Sequence, residues 1–92
     1  MKDDIVRWRI CFKGIVQGVG FRYTACHAAS LLGVTGYVKN EYDGSVLCEV
    51  QGSNEQIDEF LKILRSGRFI EITEMDTKLI PLIENERSFE RD

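Results

Sequence analysis

The residues that could do chemistry lie between positions 14 and 40. Gly14-Ile15-Val16-Gln17-Gly18-Val19-Gly20-Phe21-Arg22 leaves an alternating apolar stretch and enters a helical one. At a strand-to-helix junction the first backbone N–H groups of the helix lack partners and point outward. Glycines let the backbone curl around an anion, and the helix dipole favours negative charge there. Arg22 falls in the first helical turn, where the dipole disfavours a cation by roughly 0.3–1 kcal/mol. A bound anion removes that conflict, and a guanidinium grips a phosphoryl group bidentately, as a lysine cannot. The same spacing also fits a tight connection with Arg22 in solvent. Standard phosphate motifs do not decide between the two. The chain has no GxxxxGK[ST], and Gly18-Val19-Gly20 lacks the third glycine of GxGxxG because position 23 is Tyr.

A second element is Gly36-Tyr37-Val38-Lys39-Asn40, just before Asp43-Gly44. Asn beside an acidic, glycine-containing loop is by default a turn residue. The functional reading of Asn40 is a carboxamide that holds a water or a substrate oxygen. Other reactive types offer less. His27 sits five residues past Arg22, off its helical face, and reads as a surface or packing residue. Cys11, Cys26 and Cys48 show no CxxC spacing, so neither a zinc site nor a disulfide framework is indicated. Cys26 and Cys48 read as small buried or half-buried residues rather than nucleophiles.

The elements that must position these residues follow from periodicity. Val6, Trp8, Ile10 and Phe12 alternate with Arg7, Arg9, Cys11 and Lys13, the pattern of a half-buried strand. Ala25, Ala28, Ala29 and Leu32 recur at helical spacing, and Gly33 is a natural stop. Residues 34–40 and 45–50 read as two strands around the Asp43-Gly44 hairpin signal. Ser53 with Gln56 forms a capping-box pattern before the stripe Ile57, Phe60, Leu61 and Leu64, and Gly67 ends that helix. Residues 69–80 read as a further strand with Ile70, Ile72 and Leu79 inward, interrupted by Pro81. The tail 84–92 is mostly charged, with Phe89 as its anchor.

The order is β-α-β-β-α-β. Its compact solution is an α+β, ferredoxin-like split β-α-β sandwich: an antiparallel sheet, right-handed crossovers and both helices on one face. The other face then stays open to water, which accounts for the polar alternate positions of the first strand. By the same parity Cys11 points to the open face and Cys48 to the helix face, so free thiols are expected.

Length and composition agree. Ninety-two residues with 43% hydrophobic and 29% charged side chains make one domain, 1–92, with one core. No run approaches the ~20 apolar residues of a membrane span. No charged leader with a cleavage site opens the chain, so secretion is not indicated. The net charge of −3 hides an asymmetry. Residues 1–39 carry six Lys/Arg against two Asp (+4), and residues 40–92 carry six against thirteen Asp/Glu (−7), which sum to −3. The acidic total disfavours a nucleic-acid partner, yet the glycine-bearing loop lies on the cationic side.

Gly-Ile-Val-Gln-Gly-Val-Gly-Phe-Arg at 14–22, Gly-Tyr-Val-Lys-Asn at 36–40, Asp-Gly-Ser-Val at 43–46 and Gly52 closely resemble the two signature segments of the acylphosphatase family. The resemblance is strong over 12–52 and looser beyond. It implies a small cytosolic hydrolase with the ferredoxin-like sandwich. Such enzymes split the carboxyl–phosphate bond of acyl phosphates into a carboxylate and inorganic phosphate. It further implies that Arg22 and the loop residues Gln17, Gly18, Val19, Gly20 and Phe21 bind the phosphoryl group. Asn40 would orient the attacking water, with no metal and no organic cofactor. The expected partner is a small-molecule acyl phosphate, with no nucleic acid and no membrane, and the expected state is a monomer.

Three departures from the family pattern stand out. Position 15 is Ile where a basic residue is frequent, Gly67 is followed by Arg68 rather than Pro, and the last strand reads Phe89-Glu90-Arg91-Asp92 where the family has Phe-x-Ile. The alternative class is a non-catalytic phosphate- or carbamoyl-phosphate-binding module of the same fold. A related domain opens larger hydrogenase-maturation carbamoyltransferases, against which Met1 and the complete element set favour a free-standing protein. An RNA-binding domain shares the topology. It needs exposed aromatic pairs on the central strands, where this chain has Arg7, Arg9, Cys11 and Lys13 beside Leu47, Glu49 and Gln51.

Overall fold

The computed structural model describes residues 4–92. Met1, on which the free-standing reading leans, lies outside them. The elements are β1 (Ile5–Ile15), α1 (Phe21–Leu32), β2 (Thr35–Asn40), β3 (Val46–Ser53), α2 (Asn54–Arg65), β4 (Glu71–Ile80) and β5 (Phe89–Arg91). The strands form one sheet in the order β4-β1-β3-β2-β5. The first four pair antiparallel, as the ferredoxin-like expectation requires. β5 adds a parallel edge to β2, with Val38 opposite Arg91, so the sheet is mixed rather than purely antiparallel.

Alternation in β1 does what its sequence implies. Ile10 and Phe12 are buried with Val46, Cys48 and Val50 of β3 and Val38 of β2. They join Phe21, Ala25, Ala28 and Ala29 of α1 and Ile57, Phe60 and Leu64 of α2 in one core. Phe12 and Phe21 meet with ring centroids 4.9 Å apart, fixing the start of α1 against the sheet. α2 begins with the full capping box: Gln56 N–H donates to the Ser53 hydroxyl at 3.1 Å, and the Gln56 carboxamide oxygen accepts from Ser53 N–H at 2.8 Å. Cys11, Cys26 and Cys48 are free thiols.

Two expectations need correction. Leu79 pairs with Trp8 on β1 but is 58% exposed, on a strand that forms the edge of the sheet. The inward residues of this segment are Ile70, Ile72 and Met75. The face opposite the helices is also not open throughout. Arg7, expected in water, is fully buried. Its Nη1 donates to Glu86 Oε1 at 2.7 Å and to Gln51 Oε1 at 3.0 Å, and its Nε donates to Glu49 Oε1 at 3.0 Å. Gln51 in turn exchanges two 3.0 Å bonds with the backbone of Ile83. The segment between β4 and β5 thus folds back over this face. A cation can be buried there because two carboxylates come with it. Burial alone would push the Arg7 guanidinium down; the hydrogen bonds and charges of Glu86 and Glu49 outweigh it and hold Arg7 above its ordinary value.

Candidate active site

The site forms where β1 ends and α1 begins. Gly18 (φ 75°) and Gly20 (φ 80°) both lie in the left-handed region, which L side chains rarely adopt, and neither has anything within 4 Å of where a Cβ would stand. Gly20 is the N-cap of α1 and supplies no side-chain cap, and the first turn contains no acidic residue. The first helical N–H groups therefore keep their donor capacity and the positive end of the dipole is uncompensated. Helical bonding starts at Thr24, whose N–H donates to Gly20 O at 2.9 Å.

Val16, Gly18, Gly20, Phe21, Arg22, Tyr23, Asn40 and Arg91 line one cavity of about 180 Å³. The structure thus brings Arg22 together with Asn40, 18 positions apart in sequence, at the uncapped helix end. Arg22 Nη1 donates to the main-chain oxygen of Asp92 at 2.9 Å, and Asp92 N–H donates to Val38 O at 2.8 Å. The chain after β5 therefore ties the guanidinium to β2, the strand that ends in Asn40.

The other expected residues are placed differently. The buried Phe21 ring packs on Phe12, so only the start of its helix faces the cavity. Val19 packs against the core. The Gln17 carboxamide donates to Glu41 O at 2.7 Å and Ser45 O at 2.8 Å. It bolts the loop to the β2–β3 turn and faces a neighbouring depression of about 600 Å³ with Lys39, Asn40, Glu41 and Tyr42. The turn itself is held by Asp43, whose carboxylate accepts from Ser45 N at 2.9 Å and Ser45 Oγ at 2.6 Å and is lowered below its ordinary value by those bonds. Asn40 takes no part in these turn bonds, so the default turn role falls to Asp43.

Two neighbours of the cavity were not singled out from sequence: Arg91, which lines it, and the Asp92 main-chain oxygen, which holds Arg22. The available signal was parity with Phe89, two residues earlier. His27 is exposed and stacks with Tyr23 at 6.3 Å between centroids. Burial pushes the Cys48 thiol up, with Glu49 adding to it, so Cys48 stays protonated. No carboxylate, His or Cys lines the cavity. Among the described residues, no group of three or more His, Cys, Asp or Glu converges as metal ligands would. The chemistry open to these walls is the holding of an oxyanion by guanidinium and amides, and the placing of a water by a carboxamide.

The acylphosphatase family model matches residues 8–91. The chain belongs to the acylphosphatase family. The acylphosphatase of Clostridium acetobutylicum is 43% identical over 84 residues, which cover 90% of this chain and 92% of that protein. Among solved structures, the acylphosphatase from Bacillus subtilis superposes with a TM-score of 0.86 at 30% identity, over 95% of this chain and 98% of that one. HypF of T. kodakarensis superposes with a TM-score of 0.81 at 31% identity, over 95% of this chain and 12% of that one. The acylphosphatase fold is thus also carried as a small part of a larger chain. Membership makes this chain a hydrolase of acyl phosphates. Among the described residues no helix is long and apolar enough to cross a membrane.

Proposed function

We propose that the cavity at the start of α1 is the active site and that its parts divide the work as follows. Arg22 and the loop amides from Gly18 to Arg22 hold the phosphoryl oxygens, and Asn40 holds the water. The observation that carries this is one small cavity in which an uncapped helix N-terminus, Arg22 and Asn40 meet with no carboxylate present.

An acyl phosphate leaves as a carboxylate, so little acid catalysis is needed. The task is to offset charge on the equatorial oxygens and to place water in line. Fixed amides and Arg22 do the first without reorganising during the reaction. The Asn40 carboxamide orients the water but cannot accept its proton at neutral pH. Water oxygen bonds to phosphorus as the bridging P–O bond breaks. The carboxylate leaves with that electron pair, and the second water proton passes to a non-bridging phosphoryl oxygen. Acyl phosphate dianion and water thus become carboxylate and dihydrogen phosphate, with charge and protons balanced. The reading extends to a monomeric cytoplasmic enzyme of one domain that acts on small acyl phosphates and binds no nucleic acid.

The test is phosphate release from benzoyl or acetyl phosphate, with and without EDTA, by wild type, Arg22→Ala and Asn40→Ala. Removing one oxyanion donor costs about 10²–10³ in kcat. Arg22→Ala is expected to lose turnover on that scale together with inhibition by inorganic phosphate. Asn40→Ala is expected to lose turnover while phosphate still competes. Wild-type phosphate binding without hydrolysis would favour the non-catalytic module instead. An enzyme base with its own titration in the pH–rate profile would overturn the proton route.

A further inference from the structure

Arg91 lies on the helix-side face of β5 by strand parity, and it is exposed. Its side chain shares a face with that of Phe89, two residues earlier, and Phe89 packs on Phe60 of α2 with ring centroids 5.6 Å apart. The parallel register sets Arg91 opposite Val38, two residues before Asn40 on β2. The chain places a second guanidinium on the wall of the cavity that Arg22, Gly18, Gly20 and Asn40 share. Neither Arg22 nor Arg91 pairs with a carboxylate side chain among the described residues, whose ion pairs involve Arg7, Arg9, Lys39 and Lys62. Arg22 gives one N–H to the main-chain oxygen of Asp92. Two guanidiniums thus border one small cavity beside a helix N-terminus, and neither is neutralised by a paired side-chain carboxylate among the described residues.

The same placement is felt at Cys26, one turn along α1. Burial raises its thiol, Glu90 adds to the rise, and Arg91 and Arg22 both pull against it. The thiol therefore feels both guanidiniums.

We propose that Arg91 is a second phosphoryl-binding side chain of this enzyme, contacting an oxygen of the bound phosphoryl group or of product phosphate across the cavity from the loop amides. This rests on the site reading above. A dianion between Arg22 and Arg91 turns mutual repulsion into two attractions, and the guanidinium supplies directed N–H donors that suit tetrahedral oxygens.

The experiment uses Arg91→Ile, Arg91→Gln and Arg91→Lys in the full chain. It measures kcat and KM for benzoyl phosphate, the inhibition constant of inorganic phosphate, and the urea midpoint. Loss of one charge-assisted contact at an exposed site predicts a roughly 5- to 30-fold rise in the phosphate inhibition constant for Ile and Gln. KM is expected to rise with it, and Lys to recover part of the loss. Arg91 is exposed and Ile has high strand propensity, so the Ile variant's urea midpoint is expected to stay close to that of wild type. The combination of intact fold and weakened phosphate binding is one that a merely structural role would not give. An inhibition constant within twofold of wild type in both Ile and Gln overturns the proposal. So does a defect confined to acyl phosphates whose acyl group carries its own carboxylate, since that assigns Arg91 to the tail. Arg22→Ala separates the failures. If it abolishes phosphate inhibition while the Arg91 variants do not weaken it, only Arg91 is misassigned. If neither residue matters, the site itself is.

Discussion

Replacing Glu86 by Ala should destabilise the fold through one interaction, the contact with Arg7. Arg7 is fully buried and Glu86 is 18% exposed in its side chain. Two hydrogen bonds join them, a short one at 2.7 Å and a long one at 3.3 Å. Glu49 and Gln51 remain as partners after the substitution, so the ~3–5 kcal/mol cost of stripping a buried charge of its partner is an upper limit. One good and one marginal charge-assisted bond give about 1.5–3 kcal/mol. For a domain of this size that lowers Tm by roughly 6–20 °C. The assay is urea unfolding of wild type, Glu86→Ala, Arg7→Met and the double variant, with the slope m checked for constancy. Arg7→Met fills the same volume without the charge, so Glu86→Ala is expected to cost little in its background. The coupling between the two sites should exceed about 1 kcal/mol. A coupling below about 0.5 kcal/mol would refute the argument that the ion pair, rather than general packing, holds the segment 81–87 over the sheet.

The remaining predictions are shorter. Ser53→Ala removes the acceptor of Gln56 N–H and is expected to cost about 1 kcal/mol by urea unfolding; no change would mean the capping box is not stabilising. The Asp43 carboxyl is lowered by its bonds to Ser45, so its contribution is complete above the ordinary carboxylate value and is lost as pH falls through it toward the lower folded value. Asp43→Asn should therefore be less stable at pH 7 and show a flatter loss of stability below about pH 4; an unchanged acid slope counts against this. Gly20→Ala meets no atom within 4 Å, so its cost should be the backbone strain of the left-handed conformation alone, about 1–2 kcal/mol, with KM raised as the loop amides shift. Thiol titration of the native protein should label Cys11 and Cys26 before Cys48, which is buried and held protonated; early reaction of Cys48 would show that the sheet opens.

What could be read from the sequence, and what could not, divides along the range of the forces involved. The capping box and stripe of α2, the Asp43-Gly44 turn and the alternation of β1 are settled by neighbours within a few positions, and all are legible. The meeting of Arg22 with Asn40 followed from the order of elements plus a family resemblance that fixed which residues mattered. The burial of Arg7 was not legible, because its partners lie 42, 44 and 79 positions away. An arginine alternating with Trp8 and Val6 reads as solvent-facing until a segment with a matching carboxylate is known to cross that face. β5 is three residues long, two of them charged, too short for a period-2 signal. Its role depends on a partner strand that the local pattern does not name.

These two illegible features are connected. Gln51 holds the backbone at Ile83, and Arg7 holds Glu86. Gly36 N–H then donates to Ser88 O at 3.1 Å, and β5 runs along β2 until the Asp92 main-chain oxygen accepts from Arg22. A polar anchor on one face of the sheet thus fixes the path of the strand that carries Arg91 and steadies Arg22 on the other. A flexible arginine must lose side-chain freedom to grip a phosphoryl group, and that loss weakens binding unless the fold has already imposed it. The contact with Asp92 imposes part of it before substrate arrives. Glu86→Ala, at a residue that does not line the cavity, should therefore weaken phosphate inhibition as well as stability. At a temperature where the variant remains folded, a small rise in the inhibition constant is expected. An inhibition constant identical to wild type there would mean that β5 holds its register without the anchor.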